Sequence, residues 1–222
     1  MKIKPVSLIC CVLLIVFSCN RNKSRQHVPI LEVSTDTIEA VEKKDTLITD
    51  SKLTFEEAID GTKAPQHIIN QLELFDVVYL STDGKIHQGQ ILSNKKIADD
   101  IRHMFNFMLE NNFVIAKAIP IVRYNWSDSL SMDDNNTYSF CYRNISYSRH
   151  AHGMAIDINP RFNPLRWKNV NRPNQPEGAV LDTTVNGTLH PGHVVVKEFR
   201  RMGFRWGHTF SKYWDDHHFE KR

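Results

Sequence analysis

The sequence predicts an α+β domain, small and single, with a mainly antiparallel sheet flanked by helices. Three observations predict it. Strand-like and helix-like stretches are interspersed along the chain rather than gathered into blocks. An Asp83-Gly84 pair separates two β-rich runs, FDVVYLST and KIHQGQIL, as in a hairpin. Apolar residues recur at helical spacing in two places, after Ser93 and after His193. With 222 residues, 41% hydrophobic and 24% charged, the chain has an ordinary globular composition, so one folded domain is the default.

The first element is not part of that domain. Lys2 and Lys4 precede an uncharged, mostly apolar run from Val6 to Phe17, which has signal-peptide length and is too short to span a bilayer comfortably. It ends in Val16, Phe17, Ser18 and Cys19, which resembles a bacterial lipobox. Residues 1–18 are therefore expected to be a lipoprotein signal and Cys19 the lipidated first residue, anchored to the cell envelope at the periplasmic or outer membrane. Ordinary signal cleavage without lipid is the alternative. Removing Lys2 and Lys4 from the 28 basic residues leaves 26 against 25 acidic ones, which is no nucleic-acid footprint. Cys10 and Cys11 leave with the signal and Cys19 is committed to lipid, so Cys141 alone remains and no intrachain disulfide is expected.

Residues 19–51 are polar, charged and without sustained periodicity, and read as a tether to a domain spanning 52–222. A hairpin is expected from about Leu74 to Leu92. A helix follows, with Ser93 as N-cap and Ile97, Ile101, Met104, Phe105 and Met108 on one face. That stripe is read as packing. Phe113 to Tyr124 reads as a strand, or two pieces broken at Pro120; Ser139 to Arg143 and Ala155 to Ile158 read as short strands. HPGHVVVKEFRRMGF predicts a last helix with Val195, Phe199 and Met202 on one side, stopped by Gly203.

The chemistry lies in SRHAHGMAID, Ser148 to Asp157, and WDDHHFE, Trp214 to Glu220. Strand alternation after His152 puts Gly153, Ala155 and Asp157 on one face and Met154, Ile156 and Ile158 on the other, so small residues leave room beside a carboxylate. His150 stands just ahead of that strand. In an extended HFE segment His218 and Glu220 share a face while Phe219 points to the core. His150, Asp157 and His218 would be two nitrogen ligands and one oxygen ligand with an open position for water, the arrangement of catalytic zinc. Asp215, one short turn before His218, is the candidate general base.

Ser148, His150, Gly153, Ala155 and Asp157 fill every fixed position of S-x-H-x-x-G-x-A-x-D, and Asp215, His218, Phe219 and Glu220 match D-x-x-H-F-E. In these motifs the chain resembles the family of zinc D-Ala-D-Ala carboxypeptidases, VanY-type enzymes and L-alanyl-D-glutamate endopeptidases, in its endopeptidase-like branch. SMDDNNT (Ser131 to Thr137), Arg143, DINPRFNP (Asp157 to Pro164) and GFRWG (Gly203 to Gly207) extend the resemblance over about Leu74 to Glu220. It implies zinc held by His150, Asp157 and His218, with Asp215 as the catalytic carboxylate. It also implies Arg143 as holder of a substrate carboxylate or of developing oxyanion charge. Ser148 would hydrogen-bond substrate or brace its loop, and Glu220 would orient a zinc-bound histidine. The implied partner is the stem peptide of bacterial peptidoglycan, cut at an amide bond by a monomer of the D,D-carboxypeptidase or L-Ala-D-Glu endopeptidase type; a non-catalytic peptidoglycan-binding lipoprotein of the same fold is the alternative.

Two departures stand out. WGHTF puts His208 where the family has a second glycine, which bears on substrate fit. A register slip would make Asp216 the base and His217 the ligand; Phe219-Glu220 directly after His218 favours Asp215 and His218. Of the other histidines, His152 is read as a wall of the site, and His190 and His193 as loop or cap residues. Cys141 is read as a small buried hydrophobe. A Ser148-His150-Asp157 hydrolase lacks the G-x-S-x-G nucleophile elbow.

Overall fold

A computed structural model of the chain describes residues 47–145 and 147–222. The expected signal, the lipidated Cys19 and the tether up to residue 46 lie outside the described residues. Among the described residues no helix is long and apolar enough to cross a membrane. Ile48–Thr49 form a short strand, β1, and Ser51 is buried, so the domain already includes residues before the boundary expected at 52.

The architecture is α+β, with three small sheets among the described residues in place of one. β2 (Leu72–Leu80) and β3 (Ile86–Asn94) form the expected hairpin, antiparallel from Leu72↔Asn94 to Leu80↔Ile86, and β1 adds parallel to β3. The turn between them runs through Gly84 at φ +75°, a conformation costly for a residue with a Cβ. A second sheet joins β4 (Ala155–Asp157), β8 (His218–Glu220) and β6 (Arg205–Trp206) in the order β4-β8-β6. A third pairs β5 (Leu165–Trp167) with β7 (Tyr213–Asp215). The short helices α1 (Phe55–Ala58) and α2 (Gln66–Ile69) precede the hairpin, and α4 (Asp128–Asp133) lies between it and the second sheet in sequence.

The long helix α3 (Lys95–Glu110) buries Ile97, Ile101, Met104, Phe105 and Met108, the predicted stripe. Its N-cap is Asn94, whose side chain accepts from Lys96 N, and not Ser93. Ser93 is fully buried with its hydroxyl on Gly153 O, 3.0 Å away, and so is unavailable as a cap. The last helix, α5 (Val194–Arg201), is stopped by Gly203 at φ +87° as expected. α3 and α5 pack with one face of the hairpin and with Ile156, Ile158, Trp206 and Phe219 in the main core. Phe219 lies stacked on Phe199, ring centroids 4.0 Å apart, which fixes the strand that carries His218.

Phe113 to Tyr124 is not a strand. Apart from isolated bridges at Val114 and Lys117, much of its polar backbone is satisfied by side chains instead of a ladder. Asn159 accepts from Ala116 N and donates to Val114 O. Asn136 does the same for Ile119 N and Ile119 O, and the Tyr79 hydroxyl accepts from Ala118 N. Ile121–Tyr124 is a 3₁₀ turn after Pro120. Ser139 to Arg143 is likewise extended without forming a strand, because successive N–H groups go to different partners: Phe140 N to Leu92 O and Cys141 N to His150 O.

Candidate active site

His150 opens a 3₁₀ turn, His150–His152, which Gly153 closes at φ +64° before β4 begins. A Cβ on Gly153 would lie 2.7 Å from Asn94 N. Its smallness therefore serves close packing on the hairpin end, not the room for substrate that strand alternation suggests. β4 and β8 pair with Asp157 directly opposite His218 and Ile156 opposite Phe219. Apolar residues on one side of both strands enter the core, and the functional side chains are left on the other.

Three donor atoms meet there. His150 Nε2 is 3.1 Å from Asp157 Oδ1 and 3.0 Å from His218 Nδ1, and His218 Nδ1 is 3.0 Å from Asp157 Oδ1. All three residues are buried. The far nitrogens show which way the lone pairs face. His150 Nδ1 sits 2.7 Å from Ser139 O, a carbonyl that can only accept, so Nδ1 carries the hydrogen and Nε2 turns its lone pair to the centre. His218 Nε2 lies 3.3 Å from Glu220 Oε2, which leaves Nδ1 for the centre in the same way. Two lone pairs and a carboxylate oxygen at such distances repel one another unless a proton or a cation lies between them. Donors 2.0–2.1 Å from a tetrahedral zinc stand roughly 3.3 Å apart, so the triangle fits such an ion with a small expansion. His150, Asp157 and His218 could thus hold a metal ion, and Glu220, also 3.5 Å from the Arg205 guanidinium, is placed to orient His218.

The adjacent carboxylates of Asp215 and Asp216 differ sharply. Asp215 lines a cleft of about 530 Å³ together with the three converging residues. Its Oδ1 is buried against His217, whose Nε2 lies 2.9 Å away. Asp216 faces away from the cleft. Its Oδ2 accepts from Arg166 Nε at 2.8 Å and its Oδ1 is 2.6 Å from His208 Nδ1, with Trp206 stacked on the His208 ring. The geometry thus decides the register that the sequence left open: His218, not His217, completes the triangle. His208, the departure from the family pattern, is the partner of Asp216 and does not line the cleft. Truncating Asp216 to alanine should strand the Arg166 guanidinium and leave His208 Nδ1 without its partner, at a cost of about 2–3 kcal/mol in denaturant unfolding.

His217 is buried between carboxylates. Burial disfavours its charged form, but Asp215 and Asp157 outweigh that and push its pKa up to about 9, while Nδ1–H donates to Asn163 O at 2.8 Å. For Asp157, burial is overcome by His150 and His217, which hold its carboxyl well below the usual range. Gly207, in the Trp-Gly pair, lets the chain pass close: a Cβ there would be 2.7 Å from both Cβ and O of Asp215.

Arg143 lines the same cleft, its guanidinium 3.2 Å from Asp128 Oδ2 and 3.5 Å from the Tyr138 hydroxyl. Burial would lower its pKa, but Asp128 raises it further, so it stays charged. Asp128 also accepts from Tyr138, whose ring lies 5.2 Å from that of His150. Nothing in the spacing of Asp128 or Tyr138 distinguishes them in sequence; only folding brings them beside Arg143. Ser148 lines the cleft, whereas His152 does not, because its 3₁₀ turn directs it elsewhere and its carbonyl accepts from Asn94 Nδ2. His193 caps α5, and the Cys141 thiol is buried with its pKa raised to about 11, first by desolvation.

A family model described as D-alanyl-D-alanine carboxypeptidase matches residues 143–221, a stretch that contains Arg143, the three converging residues, Asp215 and Glu220. This supports the family resemblance and a peptidase activity. No curated protein and no solved structure matches the chain.

Proposed function

We propose that this chain is a zinc-dependent peptidase that hydrolyses an amide bond in the peptide part of bacterial peptidoglycan. The observation that carries the reading is the convergence of His150 Nε2, Asp157 Oδ1 and His218 Nδ1 in a cleft that Asp215 also lines. His150, Asp157 and His218 would hold the zinc ion, which would supply Lewis-acid polarisation of a carbonyl and a water of pKa about 7. Asp215, in the wall of the cleft, takes the proton of the attacking water and returns it to the departing amine. Arg143, fixed by Asp128, binds a substrate carboxylate or the developing oxyanion. Ser148 offers a hydroxyl at the cleft wall, and Glu220 keeps His218 in the orientation that directs Nδ1 inward.

Export and lipid attachment at Cys19 belong to the same reading and are supported by the N-terminal run and its lipobox-like end. They place a monomeric enzyme at the envelope, next to its substrate. The test is incubation of the purified chain with muropeptides, with zinc and with a chelator, followed by mass spectrometry. Chelator-sensitive products are expected; no product at any zinc concentration eliminates the peptidase and leaves a peptidoglycan-binding protein. Arg143→Lys keeps the charge but loses the planar fork held by Asp128. It should lower kcat/KM by about 10–100-fold. A loss confined to KM assigns Arg143 to the substrate carboxylate, and a loss in kcat to the oxyanion.

A further inference from the structure

A second cavity of about 600 Å³ also has Arg143 in its wall, so that Arg143 lines both it and the catalytic cleft. Trp126 and Tyr142 supply aromatic surface, Asn125 and Asn144 supply amides, and Thr62 and Lys63 supply a hydroxyl and an ammonium. No carboxylate lines it. Trp126 is held in place at some cost: it and Asn125 both adopt left-handed backbone, φ +62° and +52°, which is rare for a bulky side chain. The indole is pinned by its Nε1–H on Asp60 O at 2.8 Å and by an edge-to-face contact with Phe140. A pocket of that size with aromatic walls and a few convergent neutral donors and acceptors suits a polar ring ligand. Ring faces pack on the C–H face of a pyranose, amides meet hydroxyl and N-acetyl groups, and the cations meet carbonyl or carboxyl oxygens.

We propose that this cavity is a subsite for the N-acetylated amino sugar that carries the stem peptide. The inference rests on the peptidase reading, and Arg143, which lines both cavities, is what joins them. The sugar sits against Trp126 and Tyr142, and its peptide substituent runs past Arg143 into the cleft. Binding energy from a sugar remote from the scissile bond then raises kcat/KM.

The experiment compares one stem peptide in two forms, free and joined to its N-acetylglucosaminyl-N-acetylmuramic acid disaccharide, and adds an NMR titration of the Trp126 indole N–H with the peptide-free disaccharide. The linked form should be cleaved with kcat/KM about tenfold higher, and Asn144→Ala or Lys63→Ala should bring that ratio close to unity. These two positions are preferred because Trp126→Ala would also disturb packing on Phe140. A wild-type ratio of one, or a ratio unmoved in both variants, overturns the subsite while leaving the peptidase intact. If neither form is cleaved, the peptidase reading fails, and the titration alone decides the sugar site: a saturable indole shift supports it and no shift overturns it.

Discussion

Replacing Asp215 by asparagine is expected to lower turnover on peptide substrates by about 10²–10⁴-fold, the span of a general base, without releasing zinc. Asp215 is not one of the three converging donors, and its carboxylate lines the cleft beside them. The amide keeps the volume and removes the proton acceptor. Asp216→Asn is the control, because Asp216 is engaged by Arg166 and His208 away from the cleft; its effect should appear in unfolding, not in kcat. Equal losses of kcat in the two variants, measured on the same substrate with zinc content checked by elemental analysis, would sink the assignment of the base.

The second large effect is expected at Asp157. Asp157→Asn replaces the one anionic member of the triangle, leaving two imidazole lone pairs facing a neutral amide. Zinc affinity should fall by more than the roughly 10–100-fold typical of losing an orienting partner, and activity with it. Binding to the folded state alone stabilises it by about 4 kcal/mol when free zinc is about a thousand times Kd. A chelator should therefore lower the Tm of the parent protein by several degrees and leave that of the variant almost unchanged. Calorimetric titration showing parent-like zinc affinity in Asp157→Asn would remove Asp157 from the ligand set. Glu220→Gln should sit between the two, since it loosens His218 without removing a donor.

Much of this was legible one-dimensionally. The hairpin was announced by Asp83-Gly84, α3 by its apolar stripe, and α5 by the glycine after it, because each rests on local backbone preference and periodicity. Three of the positions that misled show the reasons. Phe113 to Tyr124 has strand-like composition, yet Asn136 and Asn159, far along the chain, take over its backbone hydrogen bonds. Ser93 looks like a cap but is buried on Gly153 O, so the next residue takes that role. Gly153 looked like room for substrate, whereas its missing side chain lets the turn press against the start of α3.

By itself the sequence determined the donor types and their order: an imidazole before a short strand, a carboxylate at that strand's end, and an imidazole in the last strand, since side-chain chemistry and alternation are local properties. Only the tertiary structure decided which of two neighbouring carboxylates faces the cleft. That choice depends on Arg166 and His208 drawing Asp216 the other way, and on Asp128 setting Arg143 at the wall. These partners lie on separate elements, and the energy that selects among them, charge pairing in a largely dry interior, exists only once the elements have packed.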